Sequence, residues 1–154
     1  MIHYVKGNLL DSNCDYICHQ VNCQGVMGSG IAKQIKERFP EVYESYKEVC
    51  MTVGAQRLLG TIDIVEASAR YDVVNIFGQS NYGYNGNRFT SYDAFAHALE
   101  ILRDWIEPGK TIGFPKNIGC GLGGGNWKVI SALIEEILGE DYEVYIYEYD
   151  PKED

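Results

Sequence analysis

At 154 residues and 45% hydrophobic composition, the chain suits one compact domain and is too short for two ordinary ones. Its formal net charge of −9 leaves no surplus of Lys or Arg to neutralise a phosphate backbone, which argues against general nucleic-acid binding. No window approaches the ~18 consecutive apolar residues of a membrane span, so no membrane partner is expected.

A strand is expected over Ile2–Lys6 and a second over Tyr16–Val21. A glycine-rich turn, "NCQGVMGSG", follows. Behind Ser29, a candidate cap, Ile31, Ile35 and Phe39 recur at helical spacing until Pro40 stops or redirects the helix. A further helical segment covers Glu41–Val49, and strands are expected over Leu59–Glu66 and Asp72–Phe77. The segment from Gln79 to Asp93 carries Tyr82, Tyr84, Asn85, Asn87 and Arg88; a lid over a ligand and a plain solvated loop suit it equally. After Thr90 and Ser91, a stripe of Tyr92, Phe95, Leu99, Leu102 and Ile106 marks an amphipathic helix. The strand Thr111–Phe114 leads into a second glycine-rich turn, and a helix from near Asn126 runs to Gly139. A last strand, Tyr142–Tyr149, precedes a short polar tail at 151–154. The order ββααββαβαβ predicts one three-layer α/β/α domain over 1–150, with a mixed, mostly parallel sheet of about six strands.

The two glycine-rich turns share a layout: a strand delivers the chain, glycines turn it, and a helix follows whose first N–H groups can bind an anion. The first runs from Asn22 to the helix at Ile31; the second is "FPKNIGCGLGGGNW". Neither closes as a Walker A loop, and neither has the spacing of a dinucleotide fingerprint. Two such loops at strand ends could hold the two phosphates of a diphosphate. The five cysteines, outside any Cys-x-x-Cys pair, read as reduced thiols. "MIHYVKGNLL" lacks the apolar core of a signal peptide, and a cytoplasmic protein is the expectation. A zinc site from Cys14, Cys18, His19 and Cys23 can be drawn, but buried free cysteines are commoner, so no metal or cofactor is expected.

The segments "YVKGNLL", "HQVNCQGVMGSGIAKQI", "LLGTIDIV", "VVNIFGQSNYG" and "GFPKNIGCGLGGGNWKVISALIEEIL" together resemble a macrodomain, the ADP-ribose-binding module. The spacing is most similar to the compact branch of ADP-ribose 1″-phosphate phosphatases and terminal ADP-ribose glycohydrolases. The resemblance implies ADP-ribose, or ADP-ribosylated macromolecules, as the ligand. It places Gly7, Asn8 and Leu9 near adenine, with Asn8 where the family commonly has Asp. It gives Val21, Asn22, Cys23 and the run Met27, Gly28, Ser29, Gly30 and Ile31 to one phosphate and the distal ribose. Asn117, Ile118, Gly119, Cys120, Gly121, Leu122 and Gly123 fall to the other phosphate. Apart from the resemblance, Tyr145, Tyr147 and Tyr149 alternate on the last strand, so one of them, with Tyr147 the choice, could stack on adenine, although tyrosines in strands mostly pack.

The glycohydrolases of that branch use a Lys after the strand matching Asp72–Phe77 and an Asp after the "GCGL" element. Here Gln79 or Ser80 and Gly123 stand at those positions, which disfavours a Lys nucleophile. The phosphatase members match better, with His19 and Asn22 on their "HxxNCxG" element. His19 is then an acid–base candidate and Asn22 a residue that orients a hydroxyl or a water. Read from the residues alone, His19 is equally a buried core histidine. The expected function is ADP-ribose binding with hydrolysis of ADP-ribose 1″-phosphate; the alternatives are a non-catalytic reader and a glycohydrolase acting on modified protein or nucleic acid.

Overall fold

Central strands that are apolar on both faces need a helical layer on each side, and that requirement organises the computed structural model, which describes residues 1–149. The strands are β1 (Ile2–Lys6), β2 (Tyr16–Val21), β3 (Ile62–Glu66), β4 (Asp72–Phe77), β5 (Thr111–Pro115) and β6 (Glu143–Glu148). They form one sheet in the order β1-β6-β5-β2-β4-β3, parallel throughout except for β3, which runs antiparallel to β4 at the edge. The helices are α1 (Gly30–Arg38), α2 (Pro40–Val53), α3 (Ala55–Leu58), α4 (Tyr92–Trp105) and α5 (Trp127–Leu138).

Residues alternate across the sheet, so each strand feeds both layers. Cys18, Val74, Ile76, Ile112, Phe114, Val144 and Ile146 pack against Phe95, Leu99 and Leu102 of α4 and Ile130, Ile134 and Leu138 of α5. On the opposite face, Ile17 and Val73 meet Ile35 of α1 and Val42 of α2, while Val21 and Phe77 meet Tyr46 and Leu58. Each fully buried Leu, Ile or Phe here contributes about 1.5–3 kcal/mol relative to exposure. Two helices start on side-chain caps: Ser91 Oγ accepts from Ala94 N–H at 3.2 Å, and Asn126 Oδ1 from Lys128 N–H at 2.9 Å.

Several elements differ from the sequence reading, among them α2, which runs to Val53 rather than Val49. Ser29 stands at the cap position of α1, yet its hydroxyl makes no capping bond. Strand β3 starts at Ile62, because Leu59 to Thr61 form a turn in which Gly60 takes φ +89° and donates to Phe77 O at 2.8 Å. A 3-10 turn over Leu9–Asp11 and the four-residue α3 are additional. The tail at 151–154 lies outside the described residues. Among the described residues no helix is long and apolar enough to cross a membrane.

Candidate functional site

Because β1, β6, β5, β2 and β4 run parallel, their carboxyl ends share one edge of the sheet. Loops leaving the three neighbours β5, β2 and β4 enclose a cleft there of about 470 Å³. Ligands of open α/β sheets bind at this edge.

The first loop, after β2, is fastened by side chains. Asn22 is 7% exposed; its Oδ1 accepts from Gln24 N–H at 2.9 Å and its Nδ2 donates to Val26 O at 2.8 Å. The Tyr46 hydroxyl, buried on α2, lies 2.8 Å from both the carbonyl and the Oδ1 of Asn22 and accepts from Val26 N–H at 3.1 Å. Burial pushes the Tyr46 hydroxyl far above its ordinary range, so it remains a donor. The loop delivers the chain to α1, where Gly30, Ile31 and Ala32 line the cleft. As the first three residues of a helix, they have N–H groups with no carbonyl partner inside it, and the helix dipole adds positive potential.

The second loop, after β5, is fastened by its own peptides. Ile118 N–H donates to Pro115 O, Cys120 N–H to Asn117 O, Gly124 N–H to Gly121 O and Gly125 N–H to Gly119 O. Its path needs positive φ at Asn117 (+67°), Gly119 (+73°) and Gly124 (+73°). Among the described residues no acceptor meets the N–H groups of Gly121, Leu122 or Gly123, all of which line the cleft. Among the described residues Lys116 is the one charged residue on the cleft wall, and its Nζ lies 3.2 Å from Glu148 Oε2. Among the described residues no Asp, Glu, His or Cys lines the wall. The site therefore offers an anion peptide dipoles from two sides and almost no formal charge.

Of the residues named from sequence, Val21, Asn22, Gly28, Ser29, Gly30, Ile31, Gln79, Asn117, Ile118, Gly119, Gly121, Leu122 and Gly123 line the cleft. The others are placed elsewhere. His19 is fully buried on β2, with Nε2 2.5 Å from Asn75 Oδ1, a bond that requires the Nε2–H tautomer. Burial lowers its pKa to about 4, so it is neutral at pH 7, and it is not on the cleft wall. That placement replaces the acid–base expectation with a core histidine. Asn8 spends its Oδ1 on Leu10 N–H at 3.0 Å, capping the 3-10 turn. Leu9, Cys23 and Met27 are core residues. Ser80 contributes its carbonyl to Cys23 N–H and Gln24 Nε2, and the Cys120 thiol donates to Ile118 O. Gly7 and Tyr147 pack together beside β6, outside the cleft.

Gln20, Val26, Ala32, Gly83, Pro115 and Lys116 also line the cleft without having been picked out, and Tyr82 and Tyr84 join them from the third loop. Tyr84 reaches across the mouth: its hydroxyl is 3.9 Å from where a Cβ at Gly28 would stand. Gln20 follows His19 on β2 and so lies on the opposite face of the sheet, but nothing in its residue type or spacing singles it out. Among the described residues no group of three or more His, Cys, Asp or Glu is placed to hold a metal.

Comparison with known proteins agrees with this geometry. A DNA ADP-ribosyl glycohydrolase of Thermus aquaticus is 28% identical over 163 residues, covering 96% of this chain but only 41% of that protein. The chain thus spans about two fifths of that relative's length. An ADP-ribose 1″-phosphate phosphatase of Candida glabrata is 33% identical over 111 residues, covering 66% of this chain and 61% of the relative. The macrodomain of Mycobacterium tuberculosis DarG superimposes with a TM-score of 0.78 at 25% identity, covering 96% of this chain and 97% of that one. The Macro domain family model matches residues 18–134, the stretch from β2 into α5 that builds all three loops of the cleft. The chain belongs to the Macro domain family.

Proposed function

We propose that the cleft binds ADP-ribose, with the diphosphate between the α1 N-terminus and the Gly121–Gly123 peptides, and that it hydrolyses ADP-ribose 1″-phosphate to ADP-ribose and phosphate. The observation that carries this reading is that both loops bring to one cleft wall residues whose N–H groups meet no acceptor among the described residues, Gly30 to Ala32 and Gly121 to Gly123. The name of the Candida glabrata relative supports the reaction, and Gln79 and Gly123 in place of a charged pair favour a route without a side-chain nucleophile.

In that route a water oxygen attacks phosphorus, the bond from phosphorus to the anomeric oxygen breaks, and the proton released is taken up by solvent or the departing oxygen. The chain's part is to orient the ester and to stabilise charge on the phosphoryl oxygens with fixed N–H dipoles. Neither His19 nor a metal is required. Five unbridged cysteines suit a cytoplasmic setting.

A second reading, a reader that binds without turnover, is favoured by the lack of any carboxylate, imidazole or thiol from the described residues on the wall. Calorimetry with ADP-ribose, against ATP and NAD as competitors, tests binding; phosphate release from ADP-ribose 1″-phosphate tests turnover. Binding with no release at micromolar protein selects the reader. Release of ADP-ribose from modified DNA or protein on a gel would select a glycohydrolase, the activity named for the Thermus relative. No binding at millimolar ADP-ribose would overturn the reading altogether.

A further inference from the structure

A loop that presents N–H groups to an anion must dispose of its carbonyls, because every peptide carries one of each. In the second loop the carbonyl of Gly121 is taken up by Gly124 N–H at 3.0 Å, within the loop itself. The carbonyls of Gly119 and Gly123 are taken up from outside. Gly123 O accepts from Phe89 N–H at 2.8 Å and Thr90 N–H at 3.0 Å, and Gly119 O accepts from Thr90 Oγ1 at 2.7 Å as well as from Gly125 N–H at 2.9 Å.

The direction of the Thr90 hydroxyl is fixed. Gln20 Nε2, which can only donate, lies 2.8 Å from Thr90 Oγ1 and 2.8 Å from Gln79 Oε1. The hydroxyl oxygen accepts there, and its own hydrogen is left for Gly119 O. Three glycines leave room for this side chain. A Cβ at Gly123 would stand 2.7 Å from Thr90 Oγ1, one at Gly119 3.2 Å from the same atom, and one at Gly125 3.4 Å from Thr90 Cγ2. Thr90 itself is 2% exposed and is not on the cleft wall.

We infer that Thr90 is a positioning residue for the diphosphate: by holding the Gly119 and Gly123 carbonyls, which flank the segment on either side, it anchors the stretch that carries the N–H groups of Gly121 to Gly123 at the cleft. The inference rests on the ADP-ribose reading. It assigns to a residue that touches no ligand the anchoring of the loop that does.

The test compares Thr90→Val and Thr90→Ser in the full chain, titrated with ADP-ribose and with adenosine, which lacks the diphosphate. Thr90→Val is expected to weaken ADP-ribose about tenfold, as for loss of one hydrogen bond that leaves a buried acceptor short, and to leave adenosine unchanged. Thr90→Ser keeps the hydroxyl and is expected to stay within about twofold of the wild type. Thr90→Val binding like wild type, equal losses for both ligands, or a Ser variant as weak as the Val variant would each overturn the assignment. If Thr90→Val does not fold, Thr90→Ala removes the hydroxyl without adding a methyl and replaces it. A wild-type chain that binds no ADP-ribose counts instead against the functional reading. Amide hydrogen exchange of the free protein then decides the loop: faster exchange at Gly125 in Thr90→Val, restored in Thr90→Ser, supports the role, and unchanged exchange overturns it.

Discussion

Asn22 and Tyr46 fasten the first glycine-rich loop with side-chain bonds to its backbone, whereas the second closes mainly on its own peptides and on the backbone of Phe89 and Thr90, with one side-chain bond from the Thr90 hydroxyl to Gly119 O. Both loops end with N–H groups toward one cleft, yet they fail in different ways. A side-chain clamp can be weakened atom by atom and leaves the path of the chain intact. A loop built on positive φ and close backbone approach tolerates no Cβ at its contact points.

The largest effect is therefore expected from Gly124→Ala. Gly124 has φ +73°, and a Cβ there would lie 2.8 Å from Asn87 O and 2.9 Å from Arg88 Cα, backbone that cannot swing aside. Strain and overpacking together cost about 2–4 kcal/mol, and ADP-ribose affinity should fall with the melting temperature. Unchanged affinity in a destabilised protein would show that the second loop does not hold the ligand.

On the strand that delivers the first loop, His19 supplies an acid-sensitive element. Its folded pKa, about 4, lies below the ordinary 6.5, so the unfolded chain takes up the proton first. The stability tied to neutral His19 is complete above pH 6.5 and drains as pH falls towards 4, by about 3 kcal/mol in all. Denaturant midpoints across that range should flatten in a folded His19→Gln variant. Phosphate release, if present, should show no limb belonging to this imidazole, and such a limb would restore His19 to the chemistry.

Tyr46→Phe is expected to cost about 1–2 kcal/mol, since it strips one hydroxyl from the Asn22 and Val26 backbone while the ring stays packed on Phe77. Its effect on affinity should be smaller than that of Gly124→Ala, and a reversed order would mean the first loop dominates. Ser29→Ala should change stability by no more than about 0.5 kcal/mol, because the hydroxyl caps nothing. A larger loss in the melting temperature would expose a contact at the mouth of α1.

The layers were legible in the sequence because their signals are local. Short β-rich runs and period-3.6 apolar patterns mark β1, β2, β4, α4 and α5 to within a residue or so, and Ser91 and Asn126, where two of the helical patterns begin, cap those helices. The glycine-rich loops were legible as a pair. What escaped is the scaffolding between elements. Tyr46 reads as one more helix residue, and Gln20 and Thr90 as an ordinary strand position and a helix lead-in, until β2, β4 and β5 bring them together. Asn8 and His19 show the other side. Their residue types suit recognition and catalysis; in the structure the Asn8 amide oxygen accepts from Leu10 N–H in a 3-10 turn, and the core closes over His19.

The nearly uncharged wall of the cleft has a consequence for how binding responds to ionic strength. Peptide dipoles act over a few ångströms and are little affected by added salt, whereas the net charge of −9 repels a diphosphate over distances comparable to the Debye length. With Lys116 already paired to Glu148, salt has scarcely any attractive ion pair to weaken. Raising sodium chloride from 20 to 300 mM should thus leave ADP-ribose affinity level or improve it slightly, by roughly twofold at most, the reverse of a pocket that captures phosphates with arginines. Such a chain would recognise a dianion best where counterions are plentiful.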